Sequence, residues 1–98
     1  MPEFLLLMHG DSPASVSDKD WDVYLAALAG RGVLRGGSAI GEGICMKRTG
    51  SAPPATSHLV GYVRIEARDL THARELVAGN PVYEAGGTVE FRALPCSG

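Results

Sequence analysis

The stretch Gly61-Tyr62-Val63-Arg64-Ile65-Glu66-Ala67 decides the fold predicted for this chain. Small and apolar side chains alternate there with polar ones, which is typical of a β-strand that buries one face. Asp69 is then a good helix cap, Asn80-Pro81 is a stop signal for that helix, and residues 86–92 (Gly-Gly-Thr-Val-Glu-Phe-Arg) turn the chain into a last strand. The second half therefore predicts the order strand, helix, strand.

The first half follows the same plan more loosely. Residues 4–9 form a short run with apolar side chains on both faces, which predicts a strand buried on both sides. Ser17 and Asp20 have the spacing of a capping box, and apolar residues then recur at helical spacing. We therefore expect a helix from about Asp18 to about Ala29.

The segment between the two halves starts as a strand and then loses its regular pattern. Residues 33–40 predict a strand, in which Gly36 and Gly37 indicate a bulge or the close approach of another group. Residues 44–48 are interpreted as a hairpin arm that pairs back onto it. Residues 49–58, with two prolines and several Ser, Thr and Ala residues, are interpreted as an exposed loop.

The predicted order is β-α-β-β-α-β, which is the arrangement of ferredoxin-like folds. It predicts an α+β fold in a single domain of residues 1–98: a four-stranded antiparallel sheet with two helices on one face and with the first and third strands in the centre. Two helices cover only one face of such a sheet. A second copy of the chain is the natural cover for the other face, so we expect a homodimer.

Composition excludes several classes of protein. The net charge of −2 argues against a protein that binds nucleic acid or an anionic membrane, because either would normally carry a basic patch. No apolar run approaches the ~20 residues that span a bilayer, and residues 4–8 are too short for a signal peptide core. Cys45 and Cys96 do not suggest a disulfide framework. We expect a cytoplasmic protein.

Most of the chain resembles the YCII-related family, some of whose members are named for an Asp-Gly-Pro-Phe motif. The resemblance rests on the order and spacing of four stretches, which are residues 5–10, 21–37, 61–73 and 80–95. It implies a dimeric α/β barrel with a pocket in each protomer near the dimer interior, and it implies no established activity. Some relatives carry a His and an Asp, proposed as an acid/base pair, where this chain has Trp21 and Gly30.

His9 is the strongest candidate for acid–base chemistry. It ends the first strand, next to Gly10 and Asp11, and histidine is the side chain that changes protonation near neutral pH. Asp11 is a candidate to orient it, which makes His9 and Asp11 the predicted catalytic residues. The structural alternative is a histidine at a strand end whose ring is satisfied by backbone groups.

Four further residues are candidates for binding a small molecule. Trp21 and Tyr24 either line an aromatic pocket or belong to the core between helix and sheet. Arg64 and Arg92 lie on the charged faces of their strands, where they either form ion pairs at an interface or contact a polar ligand.

The sequence predicts neither a cofactor nor a metal. The glycines around Arg31 do not fit the dinucleotide fingerprint, and the His and Cys residues lack the spacing of metal ligands. Two hypotheses therefore stay open: a dimeric ligand-binding or accessory protein, or a cofactor-independent enzyme of isomerase or lyase type that uses His9.

Overall fold

The computed structural model describes residues 1–95 of the chain, and this part contains four strands and three helices. In chain order they are β1 (Glu3–His9), α1 (Asp18–Gly30), β2 (Leu34–Ala39), β3 (Leu59–Glu66), α2 (Leu70–Glu75), α3 (Pro81–Glu84) and β4 (Val89–Leu94). The strands form one open antiparallel sheet in the order β2-β3-β1-β4. The predicted α+β class and the four-stranded antiparallel sheet are confirmed.

One face of the sheet carries the hydrophobic core. Val63 and Ile65 are buried and Arg64 between them is exposed, which confirms the alternation predicted for β3. Leu6 of β1 is fully buried and lies opposite Val63. The helical residues in the same core are Tyr24 and Leu28 of α1, Ala73 of α2 and Val82 of α3. The helices therefore pack on this face of the sheet, which we call the helix face.

The start of α1 agrees with the sequence prediction. The Ser17 side chain accepts a hydrogen bond from the Asp20 amide at 3.2 Å, and the Asp20 carboxylate accepts one from the Ser17 amide at 3.3 Å. This capping box satisfies two amides that the helix itself leaves without partners. It fixes where α1 begins, and with it which helical residues face the sheet.

The prediction of two helices is wrong, because a short third helix follows the second. Asn80-Pro81 was expected only to stop a helix, but Asn80 is the N-cap of α3 and Pro81 occupies its first turn. The Asn80 side-chain oxygen accepts from the amides of Val82 at 3.0 Å and of Tyr83 at 3.1 Å. Proline is favoured at a first helical position because the amide that it lacks would have no partner there.

The interpretation of residues 44–48 as a hairpin arm is also wrong. Residues 40–58 contain no strand or helix, and nearly all of them are exposed. β2 therefore pairs only with β3 within residues 1–95, and its pairing shifts between Leu34 and Gly36. That shift is the bulge predicted from the glycines. Gly37 lies against β3 so closely that an added Cβ would be 2.8 Å from the Tyr62 carbonyl oxygen.

The sheet face opposite the helices, here called the open face, is only half covered. Leu5 and Leu7 of β1 point to it and are partly buried, whereas the sequence predicted burial on both sides of this strand. The helices of residues 1–95 all pack into the core on the other face, so burial of this side of β1 stays a prediction that depends on the expected second copy. Leu5 lies between Arg64 of β3 and Arg92 of β4 in register.

The charged side chains of the open face form ion pairs within the protomer. Arg64 Nε lies 2.9 Å from Glu3 Oε1, and Arg92 Nη1 lies 3.5 Å from Glu90 Oε2. Opposite charges therefore neutralise one another along this face. Leu5 and Leu7 of β1 form an apolar strip between these two ion pairs.

Candidate functional site

A cleft of about 870 Å³ lies between α1 and the β2 side of the sheet. Trp21 and Leu25 of α1 form an apolar wall, and Asp18 and Asp22 lie on the same side of the helix because they are spaced by three or four residues from that wall. The other lining residues are Met8, His9, Gly10, Ser12, Ala14, Val16, Gly37, Ser38, Ala39, Val60, Gly61, Tyr62, Val63 and Val82. Apolar atoms thus dominate a concave surface that has polar groups around it.

The depth of this cleft comes from the small residues of two neighbouring strands. Gly37 and Ala39 of β2 lie opposite Val63 and Gly61 of β3 on the helix face. Side chains of ordinary size at these positions would fill the space below Trp21. Gly37 therefore leaves space for the cleft and also allows the close approach of β2 to β3.

His9 is a lining residue at one end of the cleft, but its ring is held on the open face, where it bonds to an acidic partner. Its Nε2 is 2.9 Å from Glu90 Oε1, and its ring meets the His58 ring edge to face with centroids 4.9 Å apart. Its backbone amide donates to the Thr88 carbonyl at 3.0 Å. A carboxylate accepts only, so His9 donates Nε2–H to Glu90, and Nδ1 is the nitrogen that remains for proton exchange.

Asp11, the predicted partner of His9, is bonded to a different residue. Its two carboxylate oxygens accept from the Thr88 amide at 2.8 Å and from the Thr88 hydroxyl at 2.7 Å. These hydrogen bonds hold the pKa of Asp11 below its ordinary value of 3.8. Asp11 therefore fastens the loop after β1 to the start of β4, and the structure gives His9 the carboxylate of Glu90 in its place.

The two predicted aromatic residues have different environments. Trp21 is half-buried and lines the cleft, whereas Tyr24 is buried in the core. The Tyr24 hydroxyl donates to the Leu76 carbonyl at 2.8 Å, and burial raises the pKa of Tyr24 above its ordinary value of 10.0. Of the two alternatives left open by the sequence, Tyr24 thus has the core position, where it ties α1 to the chain after α2. The two rings meet edge to face at 5.9 Å.

Arg64 and Arg92 do not reach the cleft. Both lie on the open face, separated by the sheet from the helix face where the cleft opens. They are paired with Glu3 and Glu90, so neither can meet a ligand that touches Trp21. The structure joins Arg92 to His9 only indirectly, through Glu90.

Glu90 was not predicted as the partner of His9. In the register of β1 and β4, Glu90 lies opposite Leu7, two residues before His9 and on the same face. This diagonal neighbour is within reach of a long side chain. Predicting Glu90 would have required the register of β1 against β4, since the two residues are far apart in the sequence.

Within residues 1–95, no group of three or more His, Cys, Asp or Glu side chains is arranged to hold a metal ion. In the same range, no helix has both the length and the apolar character needed to cross a membrane. Cys45 is an exposed free thiol, and Cys96 lies outside the described residues. No protein-family model matches the chain. No curated protein matches it either.

Proposed function

We propose that this protein is a homodimeric small-molecule-binding or accessory protein of the YCII-related family, and that the cleft beside Trp21 is its ligand site. The observation that carries the proposal is the cleft. Its volume of about 870 Å³ falls within the roughly 300–1,000 Å³ of small-molecule pockets. Apolar walls with a few polar groups at the edge are also the usual composition of such sites.

The strand order supports the finer fold assignment to a ferredoxin-like topology. In the order β2-β3-β1-β4, α1 connects β1 with β2, and α2 with α3 connects β3 with β4. This is what two interleaved βαβ units give. In a dimeric α/β barrel, two such sheets would face each other through their open faces.

The surface area of the chain exceeds that of a typical compact monomer of its mass, and the exposed residues 40–58 contribute to the excess. One protomer exposes 6640 Å², whereas a monomeric protein of 10.3 kDa is expected to expose about 5,400 Å². The molecule is also thin, with a shortest extent of 19 Å, because one layer of helices lies on one sheet.

The open face also has the composition of an interface. Leu5 and Leu7 form an apolar centre on an inner strand, and the charged side chains lie to either side of them. Because Arg64 is paired with Glu3 of the same chain, a partner that covers this face would not bury Arg64 without an opposite charge. An apolar centre with a polar rim is the usual anatomy of a protein interface.

Light scattering at micromolar concentration tests the dimer. We expect a particle of twice the 10.3 kDa of one chain. Leu7→Glu places a charge in the centre of the open face and should give the single-chain mass. The matched control is Val23→Glu, at an exposed apolar position on α1, which should stay dimeric. A wild-type protein of single-chain mass would contradict the proposed dimer.

A fragment screen by NMR tests the ligand site. Compounds that bind should shift the amide signals of Leu25 and Ser38, on the two sides of the cleft. Ala39→Phe should abolish binding because it fills the cleft, and Ala26→Phe on an exposed position of α1 should not. The absence of any binding fragment, or hits that do not shift these signals, would contradict the proposal.

His9 gives specific support to a second candidate function, a cofactor-independent enzyme of isomerase or lyase type. His9 donates Nε2–H to Glu90, so its Nδ1 has a lone pair that can take a proton from a carbon acid bound at the open-face edge of the cleft. Glu90 would stabilise the imidazolium that forms, and the return of the proton at a different atom would complete an isomerisation.

Deuterium exchange tests this alternative without a known substrate. Small carbonyl compounds would be incubated with the protein in D2O, and loss of their α-proton NMR signals would be followed. Catalysed exchange that disappears in His9→Asn and falls in Glu90→Gln would support the enzyme. Exchange that is unchanged in His9→Asn would refute a role for this histidine.

A further inference from the structure

The charged side chains that α1 contributes to the cleft are both acidic. Asp18 and Asp22 line it from α1, and within the described part of the chain no Lys or Arg lines it. Asp18 belongs to the first turn of α1, where the helix dipole already accounts for an acidic residue. Asp22 lies one turn further along, where the dipole gives it no such role.

The interior of the cleft is mostly apolar. Gly37 and Gly61 form its floor, and Trp21 and Leu25 form its wall. A glycine floor below an indole leaves a slot in which a ring or a short hydrocarbon chain can lie.

We propose that the cleft takes a small organic cation: a compound with an apolar ring or chain and a protonated amine. The apolar part lies between Trp21 and the glycine floor, and the ammonium group lies at the rim beside Asp22 and Asp18. This assignment rests on the proposed function, because it names the ligand class of the same cleft. A carboxylate or phosphate compound is disfavoured, since it would meet two like charges there.

Three compounds of one skeleton separate the ligand class from the existence of the site. Phenethylamine is the cationic probe, 2-phenylethanol the neutral probe and 3-phenylpropionate the anionic probe. Trp21 is the one tryptophan of the chain and lines the cleft, so its fluorescence, excited where phenyl rings do not absorb, reports binding directly. Titration of each probe gives three dissociation constants for the whole chain.

The expected order is phenethylamine tightest, 2-phenylethanol next and 3-phenylpropionate weakest. An ion pair at an exposed site changes affinity by up to about five-fold, so we expect roughly that factor between the cationic and the neutral probe at low salt. Asp22→Asn should remove most of the preference and leave the affinity for 2-phenylethanol unchanged. The matched control is Glu75→Gln, an exposed carboxylate on α2 outside the cleft, which should change nothing.

The outcomes separate the two proposals. Equal binding of all three probes, or tighter binding of 3-phenylpropionate, overturns the cationic class and leaves the ligand site standing. A preference for phenethylamine that survives in Asp22→Asn leaves the cationic class standing and overturns the placement of the ammonium group beside Asp22. Failure of every probe to change the Trp21 signal, together with an empty fragment screen, overturns the site itself.

Discussion

Replacing Asn80 with alanine should destabilise the protein more than any other loss of a single helix cap in the described chain. Asn80 is fully buried, and its side-chain oxygen accepts from two amides, those of Val82 and Tyr83. Loss of an N-cap costs about 1–2 kcal/mol, and each buried amide left without a partner costs about 1–3 kcal/mol. Because these costs overlap, we expect the free energy of unfolding to fall by about 3 kcal/mol.

Urea denaturation followed by circular dichroism measures this loss. With a slope of about 1–3 kcal/mol per M, the midpoint should fall by about 1–3 M. Asn80→Ser keeps one acceptor oxygen and should recover part of the loss. The matched control is Asp69→Ala, since Asp69 caps α2 by accepting from the His72 amide at 2.8 Å, but at an exposed position. That change should cost about 1 kcal/mol or less.

An Asn80→Ala variant that loses no more stability than Asp69→Ala would refute the reasoning. It would mean that water or a shift of α3 satisfies the two amides after the side chain is gone. A serine variant as unstable as the alanine variant would show that the buried shape of Asn80, and not its hydrogen bonds, supplies the stability.

Three other changes test the surroundings of the cleft. Thr88 stabilises the charged form of Asp11, so the contribution of Asp11 to the free energy of unfolding is present above about pH 4 and is lost as pH falls below it. In urea denaturation at a series of pH values, the midpoint of Asp11→Asn should therefore fall less steeply in acid than that of the wild type. Burial raises the pKa of Tyr24, so its contribution to the free energy of unfolding is complete below pH 10.0 and is lost as pH rises above it. Tyr24→Phe should lower the free energy of unfolding by about 1 kcal/mol at neutral pH, and in the same assay it should lose less stability at alkaline pH than the wild type. Gly37→Ala should cost about 1–3 kcal/mol by thermal or urea unfolding, because its Cβ would press on the backbone of β3, whereas Gly41→Ala meets nothing within 4 Å and should be neutral.

Much of the fold could be predicted from local sequence pattern. The capping box of Ser17 and the alternation around Val63 depend on residues a few positions apart, and both are confirmed. The third helix was missed because Asn80-Pro81 is compatible with two outcomes, the end of one helix and the start of the next. Which outcome holds depends on burial of Asn80 against the core, which is a tertiary property.

Less of the candidate site could be predicted, because it depends on register and on faces. Trp21 was found, since it lies on the apolar stripe of a helix whose start was correctly placed. Tyr24 lies on the same stripe one turn further along α1 and is buried. The stripe alone does not tell a residue that lines the cleft from a residue of the hydrophobic core. The partner of His9 is Glu90, which lies 81 residues away and is brought close only by the pairing of β1 with β4.

The central position of β1 has a consequence for how the protein is made. During synthesis β1 leaves the ribosome early, yet it pairs with β3 and β4, so that Phe4 meets Ile65 and Ala93. The most apolar strand of the sheet therefore stays unpaired until its partners β3 and β4 have been translated. Long-range strand pairing of this kind folds slowly and exposes apolar segments to wrong partners in the meantime. Completion of this sheet therefore has to wait for β4, the last of its strands in chain order.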